Sequence, residues 1–406
     1  MKIKMLDKTL KICSNKKFCN EDIYVQIPDE YLKPEGTLDI TDMNEFDVTE
    51  YAKAQIKDEN LKAENIAEGV EVLGITGTMK GAGSSEDTLV ALLEGTLEGT
   101  VTSNNCTTLK PYFFQGLSGL KEVNLPNVTT LSSTGYQFNN CTALEKVTLG
   151  NVTSIPSRCF VNCKALKTIY LPEVTTLSSY SFANCSSLTT INAPKITTIG
   201  EDCFYGCSEL LEADFPNATS LGYDAFYNCY KLKSVNLPNV TSTYLSYTFN
   251  NCRELETVNI PQVKYLSTSA FSGCDKLKKI ILQNVQSVDE FSLGYCNELS
   301  VVCLPNLRSI NSSYSFYKDY SLTHLIITQE DTICTLSSSS TFSNGCYHFT
   351  GTKYDPYNPN GDKDGYIYVP DSLVEQYKSA TNWSKWADQI KGLSELSQDI
   401  KEEFGI

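Results

Sequence analysis

A Phe-x-x-Cys tetrad recurs along the middle of this chain at an almost constant spacing. Eight cysteines follow one another at intervals of 22 residues, with a single interval of 23 between Cys229 and Cys252. A fixed period of this length is typical of a solenoid, in which each repeat forms one coil and buries its apolar side only against its neighbours. The period therefore predicts a repeat array for most of the chain. The eight cysteines are Cys141, Cys163, Cys185, Cys207, Cys229, Cys252, Cys274 and Cys296, and Leu293 replaces the Phe before the last of them.

Apolar positions recur within every repeat and divide it into three sides. A leucine followed three residues later by a second apolar residue marks ten copies, the first at Leu120 and the last at Leu322. The alternation that follows predicts a short strand with its apolar side chains inward, and a proline such as Pro172 ends this strand. Val174 and Leu177 exemplify the second side, and the Phe and Cys close the third. The Asn or Gly that precedes the Cys in most repeats suits a left-handed turn position. The sequence thus predicts a mainly β solenoid of about ten coils of 22–23 residues.

The chain has 16 cysteines, which we interpret as core residues. Coils of a solenoid stack about 4.8 Å apart, so equivalent cysteines form a buried column in which each thiol acts as a small hydrophobic group. Cys159 and Cys163 have the spacing of a metal pair. The first of these positions holds Ser181 or Ala225 in other repeats, however, and the chain has only 2 histidines. We expect reduced thiols, because no signal-peptide pattern is visible, and we predict no metal or cofactor site.

Composition and motifs argue against several classes of function. The 406 residues carry a net charge of −15 at pH 7, which opposes binding to nucleic acid or to anionic lipid. No apolar run is long enough to span a bilayer, so membrane insertion is not expected. The sequence contains no Gly-rich phosphate loop and no Gly-x-Ser-x-Gly turn. We therefore predict no catalytic residue and expect that the chain is not an enzyme.

The repeat consensus, Ala-Phe-x-x-Cys-x-x-Leu-x-x-Val-x-Leu-Pro, resembles the BspA-like leucine-rich repeats of bacterial surface antigens. The resemblance covers roughly residues 107–346. It implies a leucine-rich-repeat solenoid with a continuous sheet on one side, and it implies adhesion, because members of the family are often adhesive. The last repeats depart from the consensus, since Asp319 replaces Cys and Cys346 comes late. Terminal repeats are usually atypical because they cap the array.

The segments before the repeats have a different character. Residues 1–35 predict a small β module, and residues 36–81 predict a second one with a short helix. Residues 82–117 are assigned to a linker and entry cap, and residues 118–346 to the repeats. Two motifs, DVTEYA at residues 47–52 and ENIAEGVEVLGITGT at residues 64–78, resemble modules of tail and other virion proteins of phages that infect Gram-positive bacteria. This resemblance implies attachment to other virion proteins.

Residues 347–406 are predicted to form a C-terminal cap. Tyr366–Pro370 has the pattern of a strand, and residues 371–391 have the pattern of a helix with Asp371 as its N-cap. Trp383 and Trp386 belong to a segment that resembles the one found after such repeats in phage and gut-bacterial proteins. Two interpretations of these tryptophans are open: packing within the cap, or stacking against a carbohydrate.

Strand residues that point away from the core form a ladder across the coils. Its middle is polar with one tyrosine, and it is our candidate binding face for a glycan or a protein; the alternative is a merely solvated strand face. The candidate residues are Tyr170, Asn192, Asp214, Asn236 and Asn259. The far end of the strand face is apolar and is expected to contact the C-terminal cap or a partner. Its residues are Ile281, Val301 and Ile326.

The leading hypothesis is a non-enzymatic structural protein of a phage or prophage virion, associated with the tail or a fibre. Its solenoid would recognise the host surface or another protein. This hypothesis implies assembly in the bacterial cytoplasm, other virion proteins as partners, a host glycan or protein as a further partner, and a trimer as one candidate oligomer. One alternative is a bacterial cell-surface leucine-rich-repeat adhesin. Another is a purely architectural virion protein without receptor contact.

Overall fold

The computed structural model describes three strands near the N-terminus, and residues 98–406 apart from positions 105, 242, 243 and 355. The strands Lys2–Leu6, Thr9–Cys13 and Ile23–Gln26 form an antiparallel sheet with Thr9–Cys13 in the middle. The second predicted module, residues 36–81, and both of its virion-like motifs lie outside the described residues. The chain divides into two compact units, Met1–Ile169 and Tyr170–Ile406.

In the first unit, residues 98–169 form coils with two ladders of short parallel strands. The front strands, which are the first strands of successive coils, are Gly99–Thr102, Leu120–Leu125 and Lys146–Leu149, and they pair in that order. The side strands, which are the second strands, are Thr108–Leu109, Thr130–Leu131 and Ser154–Ile155. The earliest coil lies within the segment assigned to the entry cap. In this coil, buried Leu117 takes the place of the cysteine three residues after Phe114.

The second unit repeats the same two ladders. The front strand Thr168–Tyr170 ends at Tyr170, which is the first residue of this unit. The later front strands are Thr190–Asn192, Glu212–Asp214, Ser234–Asn236, Thr257–Asn259, Lys279–Ile281, Val301–Cys303 and His324–Ile326. The side strands are Thr176–Leu177, Thr198–Ile199, Ser220–Leu221, Tyr265–Leu266, Ser287–Val288, Ser309–Ile310 and Thr335–Leu336. Strands that pair within a ladder are parallel and one repeat apart, as in the pairing of Val235 with Ala213 and Val258. The predicted mainly β solenoid is confirmed.

The third side of each coil has no regular strand, yet it is hydrogen bonded to its neighbours. The residue before the cysteine is left-handed, as predicted, with a φ of 59° at Asn184 and 60° at Asn228. A second left-handed residue lies four positions earlier, for example Asp224 with a φ of 54°. Alternate N–H groups then point to the next coil, and Phe204 N donates to Ala225 O at 2.8 Å. This side therefore satisfies its backbone across the coils without a β ladder.

The buried column of phenylalanine and cysteine holds the coils in register. In the second unit the rings of Phe204 and Phe226 stack with their centroids 5.2 Å apart. The carbonyl oxygen of Phe204 accepts a hydrogen bond from Cys207 N at 3.0 Å within its coil. The same oxygen accepts a hydrogen bond from the Cys229 thiol of the next coil at 3.2 Å. Each cysteine thus fills a small apolar site and also donates to the backbone of its neighbour.

The C-terminal segment continues the front ladder. Tyr366–Val369 pairs with His324–Ile326, and Ile390–Gly392 pairs with Tyr366–Val369. Three helices follow the repeats: α1 (Tyr347–Thr350), α2 (Val374–Ser379) and α3 (Gln398–Phe404). Single 3₁₀ segments occupy Asp371–Leu373, Ser384–Gln389 and Leu393–Glu395. The cap therefore extends the sheet edge instead of leaving it open to solvent.

The single helix predicted over residues 371–391 is wrong. Helix α2 ends at Ser379 because Ala380 is extended, with a ψ of 153°, and Asn382 then adopts a left-handed φ of 66°. This turn directs Trp383 into the core. Asp371 is not the N-cap; its carboxylate accepts hydrogen bonds from the N–H and hydroxyl of Ser394.

One position in the cysteine column holds a carboxyl group. Asp319 is fully buried, and its Oδ1 accepts a hydrogen bond from Cys296 N at 2.9 Å. Its Oδ2 has no hydrogen-bond partner. Burial, followed by the neighbouring Cys296 thiol, raises the pKa of Asp319 well above its usual value. The fold therefore favours the protonated form of this carboxyl group, because an unpaired buried carboxylate is costly.

The buried thiols give a first prediction. The 14 cysteines within residues 98–406 are free and buried, and burial raises the pKa of Cys141 and Cys203 to about 12. We expect these thiols to resist a thiol-labelling reagent at pH 8 until the chain is unfolded, because the thiolate is the reactive form. Peptide mass spectrometry after labelling of native and denatured chain measures this. Rapid native labelling of Cys229 or Cys252 would contradict the buried column.

Asp319 gives a second prediction. The folded chain holds this proton more tightly than the unfolded chain, whose carboxyl pKa is about 4, so stability falls as the pH rises above about 4. Asp319→Asn keeps an acceptor for Cys296 N and removes the titration. We expect the free energy of unfolding of Asp319→Asn, relative to that of the parent chain, to rise between pH 4 and pH 8. Denaturant titration at each pH measures this difference. The control Asp388→Asn removes an exposed carboxylate and accounts for the change in net charge. A flat profile for Asp319→Asn, measured against this control, would refute the account.

Candidate interaction surface

The outward side chains of the front strands form the predicted ladder, all within the second unit. Tyr170 is the most exposed, at 64%. Asn192, Asp214 and Asn259 are also exposed, and Asn236 is half-buried. The strands hold Asp214, Asn236 and Asn259 at the spacing of the coils, because these three residues are paired in register from one coil to the next. The structure thus brings the sequence-predicted residues onto one side of the coils.

Three members of this ladder are already hydrogen bonded to one another. The side-chain amide of Asn236 donates to Asp214 Oδ1 at 2.7 Å, and that of Asn259 donates to Asn236 Oδ1 at 2.8 Å. Each amide keeps a second N–H and each carbonyl oxygen keeps a lone pair. The row is therefore ordered before any ligand arrives, and it offers donors and acceptors at a fixed spacing. This chemistry suits hydrogen bonding to a polymer, and the row contains no nucleophile paired with a base.

The apolar end of the strand face is covered by the chain itself. Val301 and Ile326 are buried in a cluster with Leu396 and Phe404 from the C-terminal segment, and Ile281 packs against its edge. An ion pair between Lys279 and Glu403 links the front strand to helix α3. The three residues predicted to meet either the cap or a partner thus meet the cap in this structure.

The two tryptophans pack inside the C-terminal cap. Trp383 is 1% exposed and Trp386 is 3% exposed. The indole N–H of Trp383 donates to the carbonyl oxygen of Cys334 at 2.7 Å, and Trp386 meets Phe342 edge to face at 5.5 Å between centroids. Neither ring has a free face for a sugar, so stacking against a carbohydrate is wrong as an interpretation of these residues.

A tyrosine-rich surface on the third side of the coils was not anticipated from the sequence. Tyr205 and Tyr227 stack at 5.1 Å between centroids, with an angle of 2° between their planes. Further along, Tyr314 stacks on Phe291 at 5.3 Å, and Lys318 lies 5.3 Å from the centroid of Tyr295. The signal was present in the sequence, because Tyr205 and Tyr227 stand two residues before Cys in successive repeats and the chain has 24 tyrosines.

Two other kinds of feature are absent from the described residues. No group of three or more His, Cys, Asp or Glu side chains there is arranged to hold a metal ion. No helix in this part of the chain has the length and apolar composition needed to cross a membrane. The ladder and the tyrosines are therefore the features that remain for a functional interpretation.

Comparison with solved structures finds bacterial leucine-rich repeat proteins among the matches. A leucine-rich cell surface protein from Faecalibacterium prausnitzii is 20% identical, with 58% of this chain and 80% of that chain covered and a TM-score of 0.35. A leucine-rich repeat protein from Bacteroides ovatus is 20% identical, with 71% and 87% covered and a TM-score of 0.36. The leucine-rich repeat protein of T. pallidum is 22% identical, with 44% and 83% covered and a TM-score of 0.29.

Comparison by sequence identifies the family. No curated protein matches the chain. The family model of the BspA type leucine-rich repeat region matches in 6 copies, over residues 94–211 and 219–350. The match begins before residue 118, in agreement with the coil that contains Leu117. It covers more than half of the 406 residues, and the chain therefore belongs to the BspA-type leucine-rich repeat family.

Proposed function

We propose that this chain is a non-enzymatic recognition protein of the bacterial cell surface that binds a ligand on its polar front ladder. The family supports the location, because leucine-rich repeat proteins of BspA type are usually found at the cell surface. Such repeats typically serve as interaction scaffolds. This proposal takes the adhesin alternative over the virion hypothesis.

The observation that carries the proposal is a change of chemistry along one sheet face. Where helix α3 covers the face, the side chains are apolar, as at Ile281 and Val301. Where no described segment covers the face, the side chains are polar, as at Asn192 and Asn259. An uncovered apolar face would favour a permanent partner, whereas a solvated polar face favours reversible contact. The uncovered part therefore has the character of a recognition surface.

The ordering of the ladder also favours recognition over simple solvation. Asn236 donates one hydrogen bond to Asp214 and accepts one from Asn259, and these two bonds fix its side chain. A ligand then loses less conformational entropy when it binds, because the protein side chains are preorganised. Tyr170, at one end, adds a rigid aromatic surface of low conformational cost. A glycan and an extended peptide can each form hydrogen bonds with these amides and pack against this ring.

The virion hypothesis rests on the motifs at residues 47–52 and 64–78, which lie outside the described residues. It stays a prediction, and so do the purely architectural role, the partners within a virion and the trimer. One distinguishing feature is where the protein is found. A surface protein is reachable on intact cells, and a virion protein co-purifies with particles.

Location is tested with an antibody against the repeats. We expect labelling of intact, unlysed producer cells, and we expect loss of the signal after brief treatment of those cells with a protease that does not enter them. A cytoplasmic marker protein serves as the control for lysis. If the signal instead appears only in purified phage particles, the surface proposal fails and the virion hypothesis takes its place.

Binding is tested with two double variants of the full chain. Asn236→Ala with Asn259→Ala removes two amides from the ladder. Asn217→Ala with Asn239→Ala is the matched control, because these exposed amides also each donate one hydrogen bond to a neighbouring coil. We expect the ladder variant to bind host cells, or an immobilised glycan or matrix-protein array, about tenfold more weakly. Equal binding by both variants would show that the ladder is only a solvated face.

A further inference from the structure

Three tyrosines form a ridge on the third side of consecutive coils. Tyr205, Tyr227 and Tyr247, named here the tyrosine ridge, have centroid separations of 5.1 Å and 6.4 Å. Tyr247 is 40% exposed, and the other two are half-buried. Because the rings support one another, their conformations are fixed before any contact. Rigid tyrosines of this kind are common anchors of protein interfaces, since they bury a large area at low entropic cost.

Carboxyl groups border the tyrosine ridge. Asp224 lies close to Tyr227, and Glu201 and Asp202 lie close to Asp224. Burial, followed by the nearby Asp202 and Glu201, raises the pKa of Asp224 to about 6, so its carboxyl group is ionised above that pH. Among the described residues, no lysine or arginine forms an ion pair with Glu201 or Asp224. The border is therefore a region of negative charge next to exposed aromatic surface.

Elsewhere on the same side, the chain supplies its own cations to its tyrosines. Arg253 lies 5.0 Å from the ring centroid of Tyr230, and Lys318 lies 5.3 Å from that of Tyr317. No described lysine or arginine lies over the three rings of the tyrosine ridge. The ridge thus combines aromatic rings and carboxylates in the way that attracts a cation, and the described residues do not supply one.

We propose that the tyrosine ridge with Glu201 and Asp224 docks an extended, arginine-rich segment of a partner protein. Arginine suits both parts of the surface, because its guanidinium stacks on aromatic rings and pairs with carboxylates through two hydrogen bonds. Two coil steps span about 10 Å, which is about three residues of extended chain. Every second residue of an extended segment faces the ridge, so arginines at alternate positions would contact it. The net charge of −15 attracts such a segment from a distance. This surface lies on a different side of the coil from the proposed ladder and goes beyond it.

The test uses the full chain and a fluorescent peptide of alternating arginine and serine, followed by anisotropy. Glu201→Gln with Asp224→Asn should weaken binding about tenfold at low salt and flatten its dependence on salt. Asparagine is tolerated at position 224, where φ is 54°. Tyr227→Ala should weaken binding about threefold, and Tyr227→Phe, which keeps the ring, should leave it unchanged. Binding by the parent chain should also weaken as the pH falls through about 6, because Asp224, faced by Asp202, Glu201 and Tyr227, takes up a proton.

Control variants decide between docking and general attraction. Glu256→Gln removes one exposed carboxylate beside a front strand and should leave binding unchanged. If Glu256→Gln weakens binding as much as the double variant, or if the double variant binds like the parent, the proposal is overturned. Equal binding of a glutamate–serine peptide would also overturn it. The ladder variant, Asn236→Ala with Asn259→Ala, should bind the arginine peptide normally, so failure of the front-face proposal and failure of this one are distinguishable.

Discussion

The regularity of the coils depends on the phenylalanine carbonyl oxygen that accepts two hydrogen bonds. This oxygen receives an N–H from the cysteine of its own coil and a thiol from the cysteine of the next. Both bonds form only if the next coil advances by one full repeat, and the front-strand pairing and ring stacking require the same advance. A change of length in one coil therefore disturbs three kinds of contact together. This explains why the period is held so closely.

The one repeat of 23 residues shows where an extra residue is tolerated. Val240 lies 22 residues after Ala218, its equivalent in the preceding repeat. Phe249 lies 23 residues after its own equivalent, Phe226. The extra residue therefore falls between Val240 and Phe249, on the side-strand part of the coil. Among the described residues, the side strands Ser220–Leu221 and Tyr265–Leu266 belong to separate sheets there. The front ladder and the thiol column pass through this coil without a break.

The sequence predicted the parts of the fold that depend on side-chain identity at a fixed period. The buried cysteines and the left-handed asparagines, such as Asn228, follow directly from that period. The earliest coil was missed because Leu117 fills the cysteine site with a different side chain. The second left-handed position was missed because residues such as Asp224 and Tyr247 carry no sign of it; cross-coil hydrogen bonds impose it. The break at Ala380 depends on the burial of Trp383, a tertiary effect.

The candidate surfaces were predicted only in part for a related reason. The strand alternation identifies which side chains point outward, so the ladder from Tyr170 to Asn259 could be named in advance. Helix α3 covers Ile281 and hydrogen bonds run along the ladder, and both features can be recognised only in the folded structure. The tyrosine ridge lies on a side with no simple alternation, and proximity there follows from backbone geometry. Periodicity therefore finds ladders on strands more readily than it finds ridges on irregular sides.

The hydrogen bonds along the front ladder give that face a direction. Asn259 donates to Asn236, and Asn236 donates to Asp214, so both amides point the same way and the row ends at a carboxylate. Seen from solvent, the two ends are not equivalent: one carries negative charge, and the other carries the amide of Asn259, whose oxygen receives no hydrogen bond from a further amide of the row. Polysaccharides and peptides also have two different ends. A chain molecule that lies along the coils would therefore meet unlike surroundings in its two orientations, and the face is suited to select one of them.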